Sequence, residues 1–170
     1  MNDDCSNPSE FNVPPWFYSD LEMQVEDSSL QEIFAHWRSL KGDNTLPLAS
    51  KIDPIDLRAH LGNLFMVRVE NGGEEFVYSL IGTKIAETLT RDSTGRRVED
   101  TFPEDHPILA LYRLITRERR PVRTHGQLNW VDKEFKRFES VMLPLADDDG
   151  TVIKILGAAL YFTETPGNPA

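Results

Sequence analysis

The sequence predicts an α+β fold: five mostly antiparallel strands, with helices inserted between the second and third and an amphipathic helix ahead of the sheet. Three observations carry this reading. Two β-rich runs, 64–70 and 76–81, flank Asn71-Gly72-Gly73, and that turn chemistry makes them an antiparallel hairpin. Three further β-rich runs close the chain after a helical middle. A regular strand-helix-strand alternation is absent, which argues against a parallel, doubly wound sheet.

The first helix is predicted over 29–41. Ser29 and Glu32 form a capping box, and Leu30, Ile33, Phe34, Trp37 and Leu40 recur at helical spacing. Arg38 and Lys41 load the last turn and Gly42 stops it. So broad an apolar stripe must bury against a sheet or another chain. A second, short helix runs over 55–61, capped by Asp53 with Pro54 at its first position and stopped by Gly62. After the hairpin, whose return strand places Phe76, Tyr78 and Leu80 on one face, Thr83 caps a short helix over 84–89. Ser93-Thr94-Gly95 reads as a turn. A longer helix follows over 107–119, with Ile108, Leu111, Tyr112 and Ile115 on one face and Pro121 as its stop. The closing strands are predicted over 122–131, 135–145 and 151–162, the last two joined by Asp147-Asp148-Asp149-Gly150. Pro144 removes one ladder donor and should face an edge or a bulge. The nearly all-apolar final strand should be central and covered on both faces.

Length and charge bound the function. The chain has 170 residues, enough for one domain that folds without metal or disulfide. Its one cysteine, Cys5, excludes an internal disulfide and suits a reducing cytoplasm. No apolar run approaches the ~18–20 residues of a membrane span, and the acidic N-terminus lacks signal-peptide pattern. The net charge of −10 argues against general nucleic-acid or anionic-membrane binding. That charge is concentrated: residues 1–37 carry eight acids and no Lys or Arg, leaving −2 over 38–170. Residues 1–28 therefore read as an acidic, partly disordered leader, 29–163 as the domain with its core over 43–163, and 164–170 as a frayed tail. The leader also holds Phe11, Val13, Trp16, Phe17 and Tyr18, which either lie on the domain surface or form a docking motif.

Chemistry-bearing patterns are sparse. No P-loop, His-Glu-x-x-His or Gly-x-Ser-x-Gly is present, so no catalytic residues are assigned and a non-enzymatic protein is expected. Cys5 has no base beside it. His36, His60, His106 and His125 never pair at metal-ligand spacing on one helix, so no metal site is expected. His36 should point away from the apolar stripe and be exposed. Five arginines, Arg113, Arg117, Arg119, Arg120 and Arg123, fall within eleven residues. Helix-end solvation explains such a cluster most simply; an anionic ligand, an acidic partner or the chain's own leader are the alternatives. The interaction candidates are accordingly Leu30, Ile33, Phe34 and Trp37 on the first helix, and Arg117, Arg119, Arg120 and Arg123.

The order of elements and several short motifs resemble a PAS domain, of the short, single-domain alphaproteobacterial type. The carriers are Leu46-Pro47, Ile52-Asp53-Pro54-Ile55-Asp56-Leu57-Arg58, Leu64-Phe65 and Tyr78-Ser79-Leu80-Ile81-Gly82-Thr83. Arg91-Asp92-Ser93-Thr94-Gly95-Arg96, Leu143-Pro144-Leu145 and Ile155-Leu156-Gly157-Ala158 complete the set, which covers roughly residues 30–162. The pattern expects Gly before Arg91 and Leu at 93, where this chain has Thr90 and Ser93. The resemblance implies a five-stranded antiparallel sheet with helices over one face, and a sensory or protein-interaction role, often with dimerisation through the N-terminal helix. It implies a pocket lined by Phe76, Tyr78, Leu111, Tyr112, Ile115 and Trp130, with Ile108 and Leu128, although such residues equally serve as plain core. Haem sensors of this fold use a His on the long helix, and none lies within 107–119; flavin photosensors use a helical Cys, and the only cysteine is Cys5. No cofactor is required by the sequence. The expected function is a cytoplasmic regulator of bacterial signal transduction that binds a signalling protein, such as a histidine kinase or response regulator, and can form a homodimer. The alternative is a sensor for a metabolite or haem held in the pocket.

Overall fold

The computed structural model describes residues 17–103, 106–128 and 137–163. Its strands are β1 (Phe17–Asp20), β2 (Leu64–Glu70), β3 (Glu75–Ile81), β4 (Val122–Gln127), β5 (Arg137–Ala146) and β6 (Val152–Phe162). Its α-helices are α1 (Ser28–Leu40), α2 (Thr83–Leu89) and α3 (Ile108–Glu118). The strands form one sheet in the order β1-β4-β5-β6-β2-β3, every neighbouring pair antiparallel. The α+β class is as the sequence predicts, with one strand more. That strand, β1, comes from the acidic leader, whose last residues are ordered against β4 with Phe17 opposite Gly126 and Asp20 opposite Arg123.

Several boundaries differ for local reasons. The cap of α1 is Asp27, not Ser29: its carboxylate accepts from the amides of Ser29 and Leu30. Glu32 instead meets Nε2 of His60 at 2.9 Å. Pro54–Asn63 is a 3-10 segment broken at Leu57, though Asp53 caps it as expected by accepting from the Ile55 amide. The first closing strand ends at Gln127; residues 129–136, with the expected extension to Val131 and the start at Phe135, lie outside the described residues. So do residues 1–16 and 164–170.

β6 lies between β5 and β2, so the apolar run is central as expected. β5 is buried from Phe138 to Ala146 because both its faces are covered. Residues 138, 140 and 142 face a cavity beneath α2 and α3, while Glu139, on the other face, meets the segment entering α1. The expected helices over one face are α2 and α3, with α1 against the opposite face. Leu30, Ile33 and Trp37 of α1 are 0%, 1% and 4% exposed, packed against their own sheet. The Trp37 indole donates to the Pro144 carbonyl at 2.9 Å. Pro144 lies past the end of β4, whose last partner on β5 is Met142, so its missing amide breaks no ladder bond on that side. His36 is not exposed but half-buried, with Nε2 enclosed and unpartnered among the described residues.

Two glycines mark close approaches. A Cβ on Gly82 would meet the carbonyl oxygens of Leu61 and Gly62 at 2.4 Å, so only glycine lets β3 end against that segment. A Cβ on Gly157 would lie 2.0 Å from the Phe65 ring, which crosses the bare backbone of β6.

Candidate functional site

The antiparallel register sorts β1 into two roles. Phe17 turns toward the cavity face and packs against Phe138 and His106, each with ring centroids 5.7 Å away. Tyr18 and Asp20 turn to the other face, where Tyr18 stacks on His125 at 5.3 Å. There Arg123, only 6% exposed, lies among three carboxylates: Glu139 at 2.6 Å, Asp20 at 3.5 Å and Glu26 at 3.8 Å. Glu139 also accepts from the amides of Glu26 and Asp27. Asp20 folds its own turn by accepting from the amides of Glu22 and Gln24. Arg120 donates to the Leu21 carbonyl. The acidic segment thus meets the arginine-rich edge directly. Arg123 is buried by that contact and is no surface candidate, while Arg117, Arg119 and Arg120 remain exposed. Burial, then the nearby Arg123 charge, lowers the His125 pKa below its ordinary 6.5.

On the opposite face, a cavity of about 80 Å³ separates the sheet from α2 and α3. That is room for a few waters or one compact organic molecule. Its aromatic wall is Phe17, Phe65, Phe102, Phe138 and His106. Ile81, Ile85, Leu89, Ile108, Met142 and Ala159 add aliphatic surface. Tyr78 from β3 and Tyr112 from α3 touch hydroxyl to hydroxyl at 3.2 Å. Burial, above all, holds both phenols well above the ordinary value of 10, and nearby Tyr161, itself raised by burial, adds to the effect. Thr124 and Ser140, directly opposite in the β4–β5 register, form a second buried hydroxyl pair. Ser93, Thr101 and Arg91 complete the polar rim, with Arg91 donating to the Thr101 carbonyl at 2.6 Å.

Of the residues expected in a pocket, Tyr78, Tyr112 and Ile108 line the cavity. Phe76, Leu111, Ile115 and Leu128 are buried core outside its lining. Trp130 and Cys5 lie outside the described residues. Sequence reasoning missed Phe17, Phe138, Thr124 and Ser140. The alternation Phe138, Ser140, Met142 carried a signal for three cavity residues, but only once that face of β5 is known to look inward. The two departures from the PAS pattern both have structural roles. Thr90 takes the left-handed conformation, φ +59°, that glycine adopts more readily. Ser93 is buried and lines the cavity where a leucine would fill it. The rest of that motif edges β3: the Gly95 amide donates to the Tyr78 carbonyl and the Tyr78 amide to the Arg96 carbonyl. Among the described residues, no group of His, Cys, Asp and Glu is placed to hold a metal.

A family model for the PAS domain matches residues 25–160. The chain belongs to the PAS-domain family. This PAS domain carries the sensory and regulatory class of its family, and none of its described helices is long and apolar enough to cross a membrane. A search among curated proteins finds no match. Among solved structures, the domain is similar to an RNA-binding light-oxygen-voltage receptor, at 14% identity and a TM-score of 0.46. The alignment covers 72% of this chain and 37% of that one, so the domain spans little more than a third of that receptor's length.

Proposed function

We propose that this PAS domain is a non-enzymatic cytoplasmic regulator whose input is a small molecule in the cavity and whose output is contact with a signalling protein. The observation that carries the reading is the cavity itself: largely apolar walls, with two hydroxyl pairs among the residues that line it. A histidine kinase or response regulator of a bacterial pathway is the kind of partner the family resemblance supports. Binding shifts the population of domain conformations only by as much as the ligand distinguishes between them. Leu30, Ile33 and Trp37 are occupied by the domain's own core, so a homodimer built on that stripe would require α1 to leave the sheet. The arginines that stay exposed, Arg117, Arg119 and Arg120, remain surface candidates for partner contact.

The test is retention of small molecules from a metabolite extract by the full chain, read by mass spectrometry, beside the Ser93→Leu variant. The reading expects a compound held by the native chain and lost when leucine fills the cavity. Equal retention by both, or none by either, would count against the cavity as input.

A further inference from the structure

The chemistry of the cavity narrows what it takes, an inference that rests on the small-molecule reading above. Two hydroxyl pairs line it, Tyr78 with Tyr112 and Thr124 with Ser140. In each pair two O–H groups share one hydrogen bond, so one proton per pair has no acceptor within the pair, and the described hydrogen bonds give it none elsewhere. Buried donors in that condition call for an acceptor. Among the described residues that line the cavity there is no Asp or Glu, so a cation would enter without a counter-charge. The one guanidinium, Arg91, belongs to an exposed residue and is engaged with the Thr101 carbonyl. The rings of Phe17, Phe102, Phe138 and His106 meet one another edge-on or tilted, an arrangement that receives another ring by the same contacts.

We propose that the cavity binds a compact, uncharged aromatic molecule bearing a hydroxyl or carbonyl oxygen, which accepts the spare hydroxyl protons while its ring packs against the phenylalanine wall. The volume limits the ligand to a single small ring. The hydroxyl pairs set the preference for oxygen, and the lack of a lining carboxylate sets the preference against an ammonium.

Three small probes separate these features: phenol and toluene, equal in size, and benzylammonium, one heavy atom larger, each titrated against the full chain by ligand-observed NMR. Phenol is expected to bind about tenfold more tightly than toluene, the scale of one hydrogen bond to a buried donor, and benzylammonium not to compete. The double variant Tyr78→Phe/Tyr112→Phe, which removes that pair's spare proton, or Thr124→Val/Ser140→Ala should the first fold poorly, is expected to shrink the phenol preference. Toluene binding as tightly as phenol, benzylammonium binding best, or an undiminished preference in both double variants would overturn the ligand class while leaving the cavity as an input site. Binding of none of the three would also overturn the class, and the input reading itself falls only if extract capture is empty as well.

Discussion

At the scale of single residues, Arg123 and Glu139 decide how the N-terminal segment is held. Both are nearly buried, and Glu139 gains two backbone amides besides the guanidinium. Replacing a buried pair with apolar groups can be neutral, but removing one member leaves the other as an uncompensated charge. Arg123→Ala should therefore lower stability by about 3–5 kcal/mol, measured by urea unfolding; a loss near zero would mean that solvent reaches Glu139. His125 adds a dependence on pH. Its folded pKa lies below the 6.5 of an unperturbed imidazole, because it is partly buried and beside Arg123. As pH falls through 6.5, the unfolded chain takes up a proton there that the folded chain resists. Stability should thus be complete above that pH and decline below it. His125→Phe, which keeps a ring under Tyr18, should flatten the decline between pH 7 and 5; an unchanged slope would assign it to other groups. Gly157→Ala would drive a methyl into the Phe65 ring and should cost about 1–3 kcal/mol, seen as a lowered melting temperature, with the displaced ring shrinking the cavity.

At the scale of elements, the helix pattern was the most legible part of the sequence and the strap ahead of it the least. The apolar spacing of Leu30, Ile33 and Trp37 located α1 to within a residue at each end, because a stripe that must be buried leaves a periodic trace. The capping residue was misread since Ser29 and Glu32 fit a local rule, whereas Asp27 won the amides and Glu32 found His60 across the fold. β1 left no comparable trace. Its four residues lie in an acidic, proline-containing stretch, and what orders them is remote: the β4 edge, Arg123, and the gap that Phe17 fills beside Phe138. An edge strand of this kind is specified by its partner rather than by its own composition. The consequence concerns truncation. Because α1 is core on the face opposite the cavity, deleting residues 1–42 should yield an unfolded or aggregated chain rather than a folded monomer. Circular dichroism and light scattering read this directly, and a folded, monomeric product would restore α1 to the role of a detachable dimerisation element.

At the scale of the whole molecule, the sheet is a wall between two different faces. One side carries α1 and the ion cluster that fastens the leader, and the other carries the cavity with its hydroxyl pairs. β1 joins them, since alternate residues of one short strand reach Arg123 and the cavity wall. The order of elements, the central final strand and the PAS family were legible because hydrophobic periodicity and turn residues are local properties. The site was legible only in part. Tyr78 and Tyr112 stood on apolar faces, but whether a face ends as core or as cavity depends on small differences in fit, such as Ser93 where a larger side chain would close the space. Phe76 and Ile115 show the opposite outcome, at 2% and 0% exposure and fully used in packing. The most direct test of the cavity as the ligand site is a set of intermolecular NOEs from bound phenol to the full chain. The account predicts contacts to Tyr78, Tyr112 and Phe138 inside the cavity. Contacts only to surface side chains such as Tyr18 or Ile55 would contradict it.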